Sequence, residues 1–240
     1  MVLEREHNVI AKPTIDSGLG KDVKLYSSRD EILSILDDYS SNYIVQRVVE
    51  QHDILKELNS SSVNTFRIMS WFNDGEVYIL TAILRVGAPG SLIDNAFAGG
   101  FAFCVKEDGT ITGPGRNVAG RVVEGTENMI SDSNALVNYY EKIIASIKEM
   151  HPQLPHFGII AWDITIDKEG LPVLIEYNLQ NPGLHVIQAL CYVFERPVCE
   201  KLFLETKRRS DKLKYILQGC NQIVLFTDFS PCAWPRYLSL

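Results

Sequence analysis

Asp163, Glu176 and Asn178 are the residues of this 240-residue chain whose types and spacing most suggest chemistry. They lie in Gly158-Ile-Ile-Ala-Trp-Asp-Ile-Thr-Ile-Asp-Lys-Glu-Gly-Leu-Pro-Val-Leu-Ile-Glu-Tyr-Asn178. Two apolar-rich runs joined by Asp167-Lys-Glu-Gly170 read as a β-hairpin. Closing that turn puts Asp163 opposite Leu174. Residues opposite one another across an antiparallel pair share a face, as do residues two apart on one strand. Asp163, Glu176 and Asn178 therefore share a side with Ala161, Thr165, Asp167 and Leu174. The reverse side, with Ile160, Trp162, Ile164, Ile166, Val173, Ile175 and Tyr177, is expected to be core. Three hard oxygen donors within about 5–8 Å of one another suit Mg²⁺, with Mn²⁺ as an alternative. Mg²⁺ takes one or two carboxylates, keeps several waters and completes its shell with substrate phosphates. The competing reading is a solvated sheet face with unrelated acids.

Positioning such a set needs a buried sheet, and the composition allows one. With 46% hydrophobic and 22% charged residues, the chain is long enough for one or two cores. No run has the length of a membrane span, and the N-terminus lacks a basic-then-apolar signal pattern. Cys104, Cys191, Cys199, Cys220 and Cys232 are scattered without a C-x-x-C pair, which predicts reduced thiols and a cytoplasmic protein. A net charge of −7 argues against nucleic acid as the main partner. The class expected is α+β.

Upstream, His7 to Lys12 and Val23 to Tyr26 read as two strands joined by a loop containing Gly18 and Gly20. Glycine lets a backbone approach and aim its N–H groups at an anion, and Lys12 could add a point charge to phosphates. A plain hairpin with a flexible tip is the bland alternative, and the Walker A spacing is absent. Ser28 to Asp38 is an amphipathic helix with a Ser28/Glu31 capping box and a buried stripe of Ile32, Leu33, Ile35 and Leu36. Tyr43 to Glu50 is an apolar strand, and His52 to Ser62 a loop or short helix.

A long hairpin runs from Val63 to Phe72 and from Glu76 to Val86, interrupted by Arg67 and Arg85. A three-residue turn, Asn73-Asp-Gly75 with Gly75 left-handed, puts both arginines on one face. A two-residue Asp74-Gly75 turn puts them on opposite faces. Both remain open, and the first implies an anion, because buried guanidiniums without acids need one. Gly99-Gly100 enters another apolar strand ending at Val105, Asp108-Gly109 marks a turn and Gly113-Pro-Gly115 a loop. Ser133 to Met150 is the longest helix, with Leu136, Tyr139, Tyr140, Ile143, Ile144 and Ile147 in the core. His151-Pro152 ends it. Leu184 to Tyr192 and Val198 to Thr206 are expected to be helical, and Lys207 to Lys214 is a solvated basic helix face. Gln222 to Leu240 matches no pattern, and His156 and His185 are loop or core histidines.

Taken in order, these pieces resemble the ATP-grasp superfamily, and within it the sugar-transfer-associated ATP-grasp proteins, which are similar to ribosomal-tail amino-acid ligases. The resemblance runs from about Asn8 to about Phe203. It rests on Lys12-Pro-Thr-Ile-Asp-Ser-Gly-Leu-Gly-Lys21, Val45-Gln-Arg-Val-Val-Glu50, Ser60-Ser-Ser-Val-Asn-Thr-Phe-Arg67, Arg85, Asn95 with Gly99-Gly100, and Trp162-Asp-Ile with Glu176-Tyr-Asn178 and Asn181-Pro-Gly183. Each piece alone is unspecific; their order and spacing carry the resemblance.

The resemblance implies two α/β subdomains with nucleotide between antiparallel sheets: residues 1–49 as a partial lid, 50–206 as the core subdomain with the metal site, and 207–240 as a tail. Lys12 would touch the ATP phosphates under a lid loop that includes Ser17, Gly18 and Gly20. Gln46, Arg47, Val48 and Val49 would form the hinge strand whose backbone reads adenine. Glu50 or Asp53 would take the ribose, and Asn95 belongs to the nucleotide site. Arg67 and Arg85 would hold the γ-phosphate and an acyl phosphate, and Asp163, Glu176 and Asn178 would be the magnesium ligands. The activity implied is an ATP-dependent carboxylate–amine or carboxylate–thiol ligase acting on a small-molecule carboxylate and an amine or sugar-linked acceptor, in polysaccharide or cell-surface biosynthesis. The family also carries a preceding domain and a first lid segment, so the resemblance implies that the N-terminal part is missing here. A non-catalytic remnant that binds nucleotide and an ATP-grasp kinase are the other readings. Nothing in the sequence fixes the oligomeric state.

Overall fold

A computed structural model describes residues 8–15, 20–39, 41–179, 183, 187 and 196–217. Residues 1–195 and 196–240 form two separate compact units. Within the first, two antiparallel sheets account for most of the regular structure.

The smaller sheet has β1 (Val9–Pro13) between β2 (Lys24–Tyr26) and β3 (Tyr43–Arg47). Val9, Ala11 and Tyr26 are buried on one face beneath Ile32 and Ile35 of two short helices, α1 (Arg29–Leu33) and α2 (Ile35–Tyr39). The capping box is present, with the Glu31 N–H donating to Ser28 Oγ at 3.2 Å. The single helix expected over 28–38 is broken at Ser34, whose hydroxyl donates to the Glu31 carbonyl at 2.8 Å and so competes with continuation of the helix. Leu33, expected in the stripe, is exposed.

The larger sheet has the order β7-β6-β5-β4-β8-β9. Its strands are β4 (Thr65–Asn73), β5 (Glu76–Val86), β6 (Phe101–Val105), β7 (Ile111–Arg116), β8 (Ile159–Ile166) and β9 (Pro172–Asn178). One face is covered by α4 (Val137–Met150), where Tyr140, Ile143 and Ile147 are buried against Phe66, Ile68, Leu84, Phe103 and Trp162. Short α3 (Asp53–Lys56) adds Leu55 to this core. Gly113 to Gly115, expected as a loop, belongs to β7. A terminal strand tolerates Pro114, which has no N–H to offer a further neighbour, and a methyl at Gly115 would fall 2.5 Å from the Phe101 ring.

Both long hairpins contain an irregularity. The β4–β5 turn is the two-residue Asp74-Gly75, with φ of 50° and 83°, flanked by the pair Asn73–Glu76. The register then shifts between Met69 and Ser70, leaving Leu80 as an extra residue, so that Arg85 comes to lie opposite Thr65. In the β8–β9 hairpin the turn takes in Leu171, since Ile166 pairs with Pro172, and the register shifts again at Ile175. Asp163 therefore lies opposite Glu176, not Leu174, which instead opposes Ile164. Ile160, Trp162, Ile164 and Ile166 are core as expected, whereas Tyr177 on the terminal strand is 44% exposed.

In the second unit, α5 (Arg196–Leu217) is one continuous helix across the two segments expected from 198 to 214. Ser17, Gly18, Leu184–His185 and residues 218–240 lie outside the described residues. Cys104 is disulfide-bonded, a correction to the expectation of five reduced thiols. No helix among the described residues is long and apolar enough to cross a membrane.

Candidate functional site: a charged row across β4, β8 and β9

Arg67 on β4, Asp163 on β8 and Glu176 on β9 are direct cross-strand partners and form a row across the sheet. Asn178 lies two residues beyond Glu176 on the same face. Arg67 Nε and Nη2 donate to the two Asp163 oxygens at 2.7 and 2.6 Å, a bidentate fork. Arg85 Nη1 reaches Asp163 Oδ2 at 3.1 Å, and its Nη2 donates to Asp94 Oδ1 at 2.8 Å. The Thr65 hydroxyl donates to the other Asp94 oxygen.

The two arginines meet because of the Leu80 bulge. With the two-residue turn alone they would face opposite ways. With a three-residue turn and no bulge, Arg85 would oppose Val63, about 13 Å along β4 from Arg67. The bulge places it opposite Thr65, about 7 Å away and within reach of the same carboxylate. The arginines are thus not without acids, and that part of the argument for a bound anion does not hold.

Burial and charge compete at these groups. Burial disfavours the Asp163 carboxylate, but the Arg67 hydrogen bonds and the two guanidinium charges outweigh it and lower its pKa below the ordinary carboxylate value. At Asp94 the balance is reversed: burial raises its pKa despite Arg85. Arg67 loses hydration on burial, yet Asp163 raises its pKa further.

The smaller sheet faces this row with Lys12. Its Nζ lies 3.7 Å from Glu176 Oε2. Register places Ile10, Leu25 and Ile44, an apolar patch suited to covering a flat ring, on the same face as Lys12 and Gln46. Arg47 is on the opposite face, paired with Val9. Val48 and Val49 connect the two sheets. At the end of the glycine loop, a methyl on Gly20 would come 2.6 Å from Ile93 Cδ1, and one on Gly183 would come 3.3 Å from Arg67 Nη1. The Gly183 backbone thus closes on Arg67, and Gly20 packs on the residue before Asp94.

Three expected residues have other partners. Glu50 pairs with Lys168 at 2.8 Å, five residues past Asp163, which lowers the Glu50 pKa. Asp53 pairs with Lys56 at 3.4 Å. Asn95 Oδ1 accepts from the Phe97 N–H at 2.8 Å and caps a short 3₁₀ turn.

The sequence reading missed Asp94 and two buried polar groups. Asn64 Nδ2 donates to the Leu55 and Asn59 carbonyls, its N–H to Gln51 Oε1, and its carbonyl accepts from Thr165. This knot fixes the start of β4 just before Thr65 and Arg67. Behind Asp163, Trp162 Nε1 donates to Ser70 Oγ at 2.7 Å. Ser70 meets His151 Nδ1 at 2.7 Å, and His151 Nε2 meets the Phe157 carbonyl at 2.9 Å. That carbonyl only accepts, so Nε2 carries the proton and Nδ1 accepts from Ser70.

Asp163, Glu176 and Asn178 fit a hard cation. Among the described residues Asn178 Nδ2 is the one buried side-chain nitrogen or oxygen without a partner. A half-turn of the amide exchanges nitrogen for oxygen, and a cation would then satisfy the buried position. No group of three or more His, Cys, Asp or Glu side chains is gathered among the described residues, so this set of two carboxylates and one amide rests on its own chemistry.

Residues 3–191 match the family described as sugar-transfer associated ATP-grasp. The chain belongs to that ATP-grasp family. The match takes in every expected site residue from Lys12 to Asn178. No curated protein matches the chain. Solved structures it is similar to include an L-amino acid ligase from Bacillus licheniformis, at 13% identity over 75% of this chain and 34% of that one, TM-score 0.45. D-alanyl-alanine synthetase A from Vibrio cholerae O1 biovar eltor is 15% identical over 74% and 44%, TM-score 0.37. D-cycloserine synthetase DcsG is 19% identical over 78% and 56%, TM-score 0.34. The chain spans between about a third and just over half of these structures.

Proposed function

We propose that this ATP-grasp chain is part of an ATP-dependent ligase that joins a small-molecule carboxylate to an amine, a thiol or a sugar-linked acceptor through an acyl phosphate. The observation that carries the reading is the convergence of Lys12 from the smaller sheet with Arg67, Arg85, Asp163, Glu176 and Asn178 of the larger one in a single cluster. Acid side chains, an amide oxygen and three cations are the groups that phosphoryl transfer needs, because its transition state is stabilised chiefly by position and charge.

In this reading Asp163, Glu176 and Asn178 hold Mg²⁺ or Mn²⁺, and the metal when bound neutralises phosphate charge. Lys12 neutralises the phosphate chain from the side of the smaller sheet. Ile10, Leu25 and Ile44 cover the base, and Gln46 marks the strand whose backbone reads its edge. Arg67 and Arg85 take the charge on the γ-phosphate as a substrate carboxylate oxygen bonds to its phosphorus and the bond to ADP breaks. The acceptor then attacks the acyl carbon and releases phosphate. The family description, sugar-transfer associated, is what supports a sugar-linked acceptor.

The test is hydroxylamine trapping with ATP, Mg²⁺ and a panel of carboxylates. A carboxylate-dependent hydroxamate supports the acyl phosphate. A stable phosphorylated product without hydroxamate points to a kinase, and nucleotide binding without turnover to a remnant.

A further inference from the structure

Asp163 is asked to do two things in the proposed reaction that conflict. As a metal ligand it needs its oxygens free, yet here both are taken by Arg67 and one is shared with Arg85. The two arginines are not equally bound. Arg85 has a second carboxylate, Asp94, itself fixed by the Thr65 hydroxyl. Arg67 makes its fork to Asp163, and the Gly183 backbone approaches its Nη1 so closely that a methyl there would come within 3.3 Å.

We infer that Asp94 is a positioning residue that keeps Arg85 in the site when Asp163 turns to metal, whereas Arg67 exchanges Asp163 for a nucleotide phosphate. The inference rests on the nucleotide and metal reading above. Asp94 lies on the loop leaving β5 and is set by two close backbone approaches. A methyl on Gly100 would come 2.7 Å from the Val86 carbonyl oxygen, and one on Gly87 2.6 Å from that of Ile93. Backbone packed this closely holds Asp94 beside Arg85, and in this proposal the Arg85–Asp94 pair survives the loss of Asp163. For Arg67, separation from Asp163 without a replacement anion leaves a largely buried guanidinium unpaired, which is costly. A phosphate supplies that anion, and a cation supplies Asp163 with its new partner. Metal and phosphate each remove the obstacle to the other, so their binding is coupled at the level of the protein.

The experiment is Mn²⁺ titration of the full chain, with free Mn²⁺ read by electron paramagnetic resonance, with and without a non-hydrolysable ATP analogue. Wild type is compared with Arg67→Met, Arg67→Lys and Asp94→Asn, each checked for folding by circular dichroism. With Asp163 relieved of its fork, Arg67→Met is expected to bind Mn²⁺ alone about tenfold more tightly than wild type, and the analogue about tenfold more weakly. Arg67→Lys, which keeps a cation but not the fork, should fall between and serves if the methionine variant does not fold. Asp94→Asn leaves Arg85 leaning on Asp163, so it should weaken Mn²⁺ binding in the analogue's presence without strengthening it in its absence. Folded Arg67 variants that bind Mn²⁺ alone no better than wild type overturn the exchange. An Asp94→Asn protein that behaves as wild type overturns the anchoring role. If wild type and every folded variant bind neither Mn²⁺ nor analogue, the nucleotide reading fails as well, a different outcome from either.

Discussion

Arg67 and Asp163 face each other directly across β4 and β8 and close a two-bond fork at 2.7 and 2.6 Å. Asp163 is 2% exposed. The fork therefore ties the centre of the sheet together as well as shaping the site.

Replacing Asp163 by Asn should consequently damage stability as well as binding. Removing one member of a buried pair typically costs about 3–5 kcal/mol, read as a lower midpoint in urea denaturation. The pH dependence has a definite sign. The folded pKa lies below the ordinary 3.8, so the stabilisation is present above that value and is lost as pH falls through the folded one. An Asn variant as stable as wild type at pH 7 would show that the fork contributes nothing.

Lys12 should behave in the opposite way. Its contact with Glu176 is long, at 3.7 Å, and Glu176 is 48% exposed. Lys12→Met is therefore expected to change stability by under about 1 kcal/mol while weakening nucleotide binding by calorimetry. A large loss of stability with unchanged binding would remove Lys12 from the phosphate site.

Gly99 and Gly100 are adjacent but constrained for different reasons. Gly99 has φ of 88° and room for a methyl, so Gly99→Ala should cost about 1 kcal/mol in backbone strain alone. Gly100→Ala would press on the Val86 and Asn95 carbonyl oxygens at 2.7 and 2.9 Å. It should cost about 2–3 kcal/mol and, by moving the Asp94 loop, weaken nucleotide binding too. Thermal melts and calorimetry on the pair separate the two causes.

The buried His151 makes stability fall in mild acid. Burial lowers its pKa below 6.5 although the Phe157 carbonyl opposes the shift. Below 6.5 the unfolded chain takes up the proton first, so unfolding becomes easier as pH drops towards the folded value. Urea titrations at pH 7.5 and 5.5 should show this slope in wild type and a shallower one in His151→Gln. Equal slopes would place the titrating group elsewhere.

Much of this arrangement could be read from residue types. The face shared by Asp163, Glu176 and Asn178 was predicted correctly although the register was not. The turn took up one more residue than counted and Ile175 another, and two shifts of one residue cancel in parity. The arginine hairpin could not be resolved in that way, because a bulge at Leu80 carries no marker such as glycine or proline. Asp94 was hidden for a different reason. It belongs to a loop without periodicity, and its burial depends on backbone approaches at Gly87 and Gly100, which are set by distant strands.

The Leu80 bulge also decides which changes of length this hairpin can accept over evolutionary time. A lineage that lost Leu80 would still pair Met69 with Thr81 and Thr65 with Arg85, because the lost residue is the unpaired one. Losing a residue between Thr81 and Leu84 would turn Arg85 to the other face and separate the arginines. The strand therefore has one site where a codon deletion is silent to the charge row, beside a stretch where it is not. Retained nucleotide binding by a Leu80-deleted chain, next to its loss on deleting Ala82, would reveal the difference.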